Sequence, residues 1–97
     1  MTPYSVVWHA DAHDLLAEIW LQARDRSDVS DSANAIDELL RFEPTLQGRV
    51  YDEQTRCLTM PPLQVYFDVL ERDRLVRIAH VRRINFDSAG GNGSRKN

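Results

Sequence analysis

Residues 55–84 read TRCLTMPPLQVYFDVLERDRLVRIAHVRRI, two alternating patterns joined by the charged turn Glu71-Arg72-Asp73-Arg74 and closing on His80-Val81-Arg82-Arg83. Leu63, Val65, Phe67 and Val69 alternate with Gln64, Tyr66 and Asp68, the period of two that marks a strand with one buried face. Pairing Leu70 with Leu75 sets Val69 against Val76, Phe67 against Ile78 and Asp68 against Arg77, so that apolar meets apolar and acid meets base. The same count, carried on, puts His80 opposite Val65 and Arg82 opposite Leu63. On that register His80 faces the core as a histidine hydrogen-bonded to backbone, whereas a bulge in the strand would turn its imidazole outward. Thr55–Met60 forms a third strand, ended by Pro61-Pro62, and 46–51 reads either as loop or as a short strand.

Working outward from this hairpin, Tyr4-Ser5-Val6-Val7-Trp8 follows Pro3 and has the β-branched and aromatic content of a strand. Apolar residues then fall at Ala12, Leu15, Leu16, Ile19, Trp20 and Ala23, one stripe on one helix face, with Asp11 and Asp14 expected in the first turn at the positive end of the dipole. A break at Arg26-Ser27-Asp28 precedes a second helix capped by Ser27 or Asp28. Its stripe is Val29, Ala33, Ile36, Leu39 and Leu40, and Pro44 stops it. The two helices form an antiparallel hairpin whose stripes need an apolar partner, and the sheet supplies it. The expected class is therefore α+β.

Ninety-seven residues, 42% of them hydrophobic, allow one core. We expect a single domain over 1–86 and a flexible tail over 87–97, where Ala89 is the one apolar residue. No apolar run approaches membrane-spanning length and the first residues lack a secretory pattern, so the expected location is cytoplasmic, with no membrane partner. The lone Cys57 reads as a small buried hydrophobe. Net charge is −3, yet it is uneven: 1–43 carry nine acids against three bases, and the remainder is basic, with Arg72, Arg74, Arg77, Arg82 and Arg83 facing only Asp73. A basic final strand is the half of the molecule able to meet a polyanion. His9 and His13 have the spacing of paired helical ligands, but the metalloprotease glutamate and a third ligand are missing, so they read as surface histidines. Nucleotide-binding glycine loops and nucleophile motifs are absent from the sequence, and neither a cofactor nor a metal is expected.

Taken in order, VVWHADAHDLLAEIW, AIDELL with a proline soon after, the stretch from Gly48 to Arg56-Cys57-Leu58, LQVYFDV and LVRIAHVRRI resemble the RelE/ParE toxin superfamily of bacterial type II toxin-antitoxin systems, the plasmid stabilisation protein-like group, over about residues 4–84. The resemblance implies an N-terminal strand, a two-helix hairpin and a three- to four-stranded antiparallel meander. It also implies a cognate antitoxin that wraps the helical hairpin and covers the sheet. Two activities stay open within it. RelE-like members cut messenger RNA at the ribosome as endoribonucleases, and on this analogy the site residues are Arg56, Tyr66, His80, Arg82 and Arg83, since attack of a ribose 2′-hydroxyl on phosphate needs cations and proton-transfer groups. ParE-like members inhibit DNA gyrase without a nuclease pocket, and Ala79-His80-Val81-Arg82-Arg83 is similar to their closing strand. Where ribosome-cutting members have a tyrosine-arginine pair, this chain has Leu63-Gln64, and a neutral amide does not replace a cation facing phosphate. A diverged, non-toxic protein-binding module with the same fold is the alternative.

Overall fold

The structure, a computed structural model, describes residues 3–84; the tail expected over 87–97 lies outside the described residues. Strand β1 (Ser5–Trp8) leads into helix α1 (Ala10–Gln22), which turns sharply into α2 (Arg26–Phe42). A 3₁₀ turn at Pro44–Leu46 precedes β2 (Arg49–Val50), β3 (Thr55–Met60), β4 (Leu63–Leu70), a second 3₁₀ turn at Glu71–Asp73 and β5 (Leu75–Arg83). Among the described residues the five strands make one sheet in the order β1-β5-β4-β3-β2, in which β2 to β5 form an antiparallel meander and β1 lies parallel to β5. This is the α+β architecture that the pattern implied, with β2 resolving the ambiguous 46–51 stretch as a short strand.

The helices lie on one side of the sheet because the alternation leaves only one apolar face to cover. Leu63, Val65 and Phe67 of β4 and Val76, Ile78 and Val81 of β5 are buried against Ala12 of α1 and Val29, Ile36 and Leu40 of α2, with Leu15, Leu16, Ile19, Ala33 and Leu39 packed around them. Fully burying one such side chain stabilises the fold by about 1.5–3 kcal/mol. The Ser32 hydroxyl donates to the Met60 carbonyl and ties α2 to the end of β3.

The helix ends depart from the sequence reading in instructive ways. Helix α1 is capped by His9, whose Nδ1 accepts from the Asp11 amide at 3.2 Å; Asp11 is the acid of the first turn, and Asp14 falls beyond it. Helix α2 starts at Arg26 with Asp25 at the cap position, not at Ser27 or Asp28, because Arg26 reaches back to the carbonyls of Trp20 (3.0 Å) and Leu21 (2.8 Å) and closes the corner. Trp20 is drawn from the buried stripe to the surface by the same corner. Its ring lies beneath the Arg26 guanidinium at 4.7 Å and its indole N–H donates to Ser30 Oγ at 3.1 Å.

The β4–β5 register begins as expected, with Leu70 opposite Leu75, Val69 opposite Val76, Asp68 opposite Arg77 and Phe67 opposite Ile78. It then shifts. Tyr66 pairs with His80, Val65 with Val81, Gln64 with Arg82 and Leu63 with Arg83, which leaves Ala79 as the extra residue of a β-bulge. The expected pairs His80–Val65 and Arg82–Leu63 are thereby corrected. Ala79 and His80 are both exposed while Val81 is buried, so the bulge keeps Val81 in the core and turns His80 to the outer face.

Gly48 is the one glycine whose place in the described fold admits no side chain. Its φ is +65°, and a Cβ there would stand 2.1 Å from the Cys57 carbonyl oxygen on β3. Having no side chain there lets β2 approach β3 as an edge of the sheet.

Candidate functional site

Because residues directly opposite on neighbouring strands share a face, the outer side of the sheet carries three cross-strand rows: Thr59–Gln64–Arg82, Cys57–Tyr66–His80 and Thr55–Asp68–Arg77. Each row has a distinct chemistry. In the first, the buried Gln64 amide is engaged at both ends: its Nε2 donates to Thr59 Oγ1 at 2.9 Å, and its Oε1 accepts from Arg82 Nε at 2.7 Å and from the Tyr66 hydroxyl at 3.3 Å. The amide therefore orients a cation and a phenol at once. A short N–H···O bond from a guanidinium is among the stronger side-chain contacts.

The second row stacks rings. Tyr66 and His80 have centroids 5.8 Å apart, tilted by 52°, and Tyr51, at the end of β2, meets Tyr66 edge-on at 4.8 Å and 74°. The third row is self-contained. Asp68 accepts from Thr55 Oγ1 at 2.7 Å and from Arg77 Nη2 at 3.1 Å, so its charge is answered within the sheet. Tyr51, Asp52, Thr55, Tyr66, His80 and Arg82 line a pocket of about 320 Å³ where these rows meet the β2–β3 turn. Such a pocket offers a guanidinium for an anion, an imidazole and a phenol for proton transfer, and two aromatic walls.

Of the five site residues expected from the sequence, the structure brings Tyr66, His80 and Arg82 together and places Arg56 and Arg83 elsewhere. Arg56 pairs with Phe67 and Val50, which puts it on the helix-facing side, where its guanidinium donates to the carbonyls of Gln47 (2.9 Å) and Gly48 (3.4 Å). It holds the loop entering β2. Arg83 pairs with Leu63, also on the helix-facing side, and its Nη2 bridges both carboxylate oxygens of Asp25 at 3.0 and 3.1 Å. That hydrogen bond is the main cause holding the Asp25 carboxyl below its ordinary range. Arg83 also borders a larger concavity of about 870 Å³ between α2 and the β3–β4 turn, lined by Asp25, Asp28, Asp31, Met60 and Pro61. Its ionisable lining is carboxylate apart from Arg83, which Asp25 already engages, and it offers nothing comparable to the outer-face cluster.

Sequence reasoning missed Tyr51, Thr59 and the supporting role of Gln64. The parity break between Ile78 and Val81 signals the bulge, since apolar residues three apart cannot share one face of a regular strand. Gly48 and Asp52, flanking Arg49-Val50-Tyr51, signal the hairpin that brings Tyr51 in. Among the described residues no group of three or more His, Cys, Asp or Glu side chains is gathered as a metal site requires.

No protein-family signature and no curated protein sequence matches the chain. Solved structures do match its fold. The toxin-antitoxin complex RelBE2 from Mycobacterium tuberculosis is similar at a TM-score of 0.70 and 17% identity, covering 86% of this chain and 93% of that one. The archaeal RelE-RelB complex from Pyrococcus horikoshii OT3 is similar at 0.63 and 15% identity, covering 89% and 99%. The chromosomal ParDE toxin-antitoxin system from P. aeruginosa is similar at 0.60 and 18%, covering 84% and 97%. The fold is that of the RelE and ParE toxins.

Proposed function

We propose that this chain is the toxin of a type II toxin-antitoxin pair and that it acts by cutting RNA, as a ribosome-dependent endoribonuclease. The observation that carries the reading is the convergence of Tyr66, His80 and Arg82 on one outer-face pocket, with Gln64 orienting the arginine. A neutral amide at position 64 is then the support of a cation on the neighbouring strand, and the missing family arginine is answered by Arg82. In cleavage, the 2′-hydroxyl loses its proton and attacks the adjacent phosphorus while the bond to the 5′ oxygen breaks and that oxygen takes a proton. Products are a cyclic phosphate and a free 5′-hydroxyl. His80 and Tyr66 are the proton-transfer groups, and Arg82 stabilises the extra negative charge of the five-coordinate phosphorus. Such a toxin works in the bacterial cytoplasm. Among the described residues no helix is long and apolar enough to cross a membrane.

A cognate antitoxin is the partner this reading requires, and the similar structures named as toxin-antitoxin complexes support it. An acidic segment lying over Arg82 and His80 would both match their charge and block the pocket. The test is induction in a bacterial host. Arrested translation with cleaved messenger RNA, relieved by His80→Ala or Arg82→Ala at unchanged protein level, is the expected outcome. Filamentation and DNA-damage signalling with intact RNA would move the target to gyrase, and unhindered growth would leave a protein-binding module.

A further inference from the structure

We infer that Tyr51 is the stacking surface for the RNA base next to the phosphate bound by Arg82, a subsite that rests on the RNA-directed reading above and makes this loop residue a determinant of substrate binding. Tyr51 is 63% exposed as a residue, far more than the core tyrosine Tyr4. It lines the 320 Å³ pocket together with His80 and Arg82, and Tyr66 touches both its ring and the imidazole.

The backbone that carries it is fixed from several sides. The amides of Tyr51 and Asp52 both donate to the Thr55 carbonyl, at 2.8 and 3.1 Å, and close the β2–β3 hairpin. Asp52 Oδ1 accepts from the amides of Gln54 (3.1 Å) and Thr55 (3.0 Å), which braces the turn from inside and answers part of the negative charge at the pocket rim. The Tyr66 ring meets Tyr51 nearly at a right angle, so the two tyrosines form adjoining walls. An aromatic ring exposed to water yet held in place presents a π-face at little further entropic cost. That is the surface on which an unstacked base binds, without regard to sequence. The geometry thus divides the ligand between Arg82, which takes the phosphate, and Tyr51, which takes the base.

The probe is a short fluorescein-labelled single-stranded RNA titrated with the full chain, its anisotropy followed at several salt concentrations. Tyr51→Ala should weaken binding about tenfold and leave the slope of log affinity against log salt unchanged, since no phosphate contact is lost. Tyr51→Phe should bind as the parent does. Arg82→Ala should instead flatten the salt slope by about one. Equal affinity of Tyr51→Ala and parent overturns the inference, as does a Tyr51→Phe variant as weak as Tyr51→Ala, which would assign the effect to the hydroxyl. A changed salt slope in Tyr51→Ala overturns it too. Thermal unfolding of Tyr51→Ala at the parent temperature excludes loss of fold as the cause. The induction experiment separates the two failures: messenger RNA cut equally well by parent and Tyr51→Ala sinks the stacking role alone, and no cleavage by the parent sinks the functional reading beneath it.

Discussion

On the helix-facing side of the sheet, Arg56 and Arg83 direct their guanidinium groups at the protein itself, the first at the carbonyls of Gln47 and Gly48 and the second at Asp25. On the outer side, Arg82 stands at a pocket, oriented by its Nε bond to Gln64. Arg82 and Arg83 are consecutive residues, yet strand parity sends them to opposite faces and to different kinds of work. Charge on a strand thus carries no function by itself; the face on which it emerges decides whether it braces the fold or meets a ligand. The helix side should therefore answer to mutation in stability, and the outer side in binding and cleavage.

The strongest way to break this division is at the centre of the helix side. Phe67→Ala removes a fully buried ring and should lower the unfolding free energy by about 4 kcal/mol in a urea titration. Its outer-face neighbour Tyr66→Phe should change stability by less than about 1 kcal/mol while reducing RNA cleavage, and a comparable loss of stability in both variants would show that the faces are not separate. Next in size is Gly48→Ala, where a Cβ meets the Cys57 carbonyl in a left-handed backbone. About 2–3 kcal/mol should be lost in the same titration.

Arg56→Ala sharpens the comparison, because the family resemblance grouped Arg56 with the site. From its position it should cost about 1 kcal/mol of stability and leave the RNA affinity of the folded protein unchanged, whereas Arg82→Ala should do the reverse. Binding and urea unfolding measured on both variants check the pair. The smallest effect belongs to Arg83→Gln. Asp25 has a lowered pKa in the fold, so its contribution is present above the ordinary carboxylate value of 3.8 and is lost as pH falls through the lowered one. Arg83→Gln should be less stable than the parent above that acid window, with the difference closing as pH falls through it, and acid titration of thermal unfolding reads it directly.

How far the sequence could go is set by the same parity. The alternation of Leu63 to Val69 and the acid-base match of Asp68 with Arg77 fixed the start of the β4–β5 register, because a one-residue slip there would expose the whole apolar set. Past Ile78 the constraint weakens. Ala79 and His80 are small or amphipathic enough to lie on either face, and only Val81 reveals that a residue has been inserted. A regular count consequently sent His80 inward and Arg82 to the wrong partner. Arg56 was set with the site by the resemblance, and its own strand offered no check: Thr55 to Met60 mixes polar and apolar residues without a strict period, so its facing depends on the partner strand. Tyr51 left no periodic signal as a site residue because its approach to Tyr66 is made by the turn that Asp52 braces, and turn residues such as Asp52 mark a hairpin without saying which side chain it delivers.

Strand β1 lies beside β5, with Ser5 seated against Leu75 and Trp8 against Ile78. During synthesis the first strand has no sheet to join until the last has left the ribosome, and every earlier length of chain lacks both the bulge and Arg82. Such a long-range closing contact slows folding relative to local pairings. For a protein proposed to attack the machinery that makes it, this ordering delays harm: the nascent chain stays innocuous until translation has passed the final strand, leaving time for an inhibitor to be on hand.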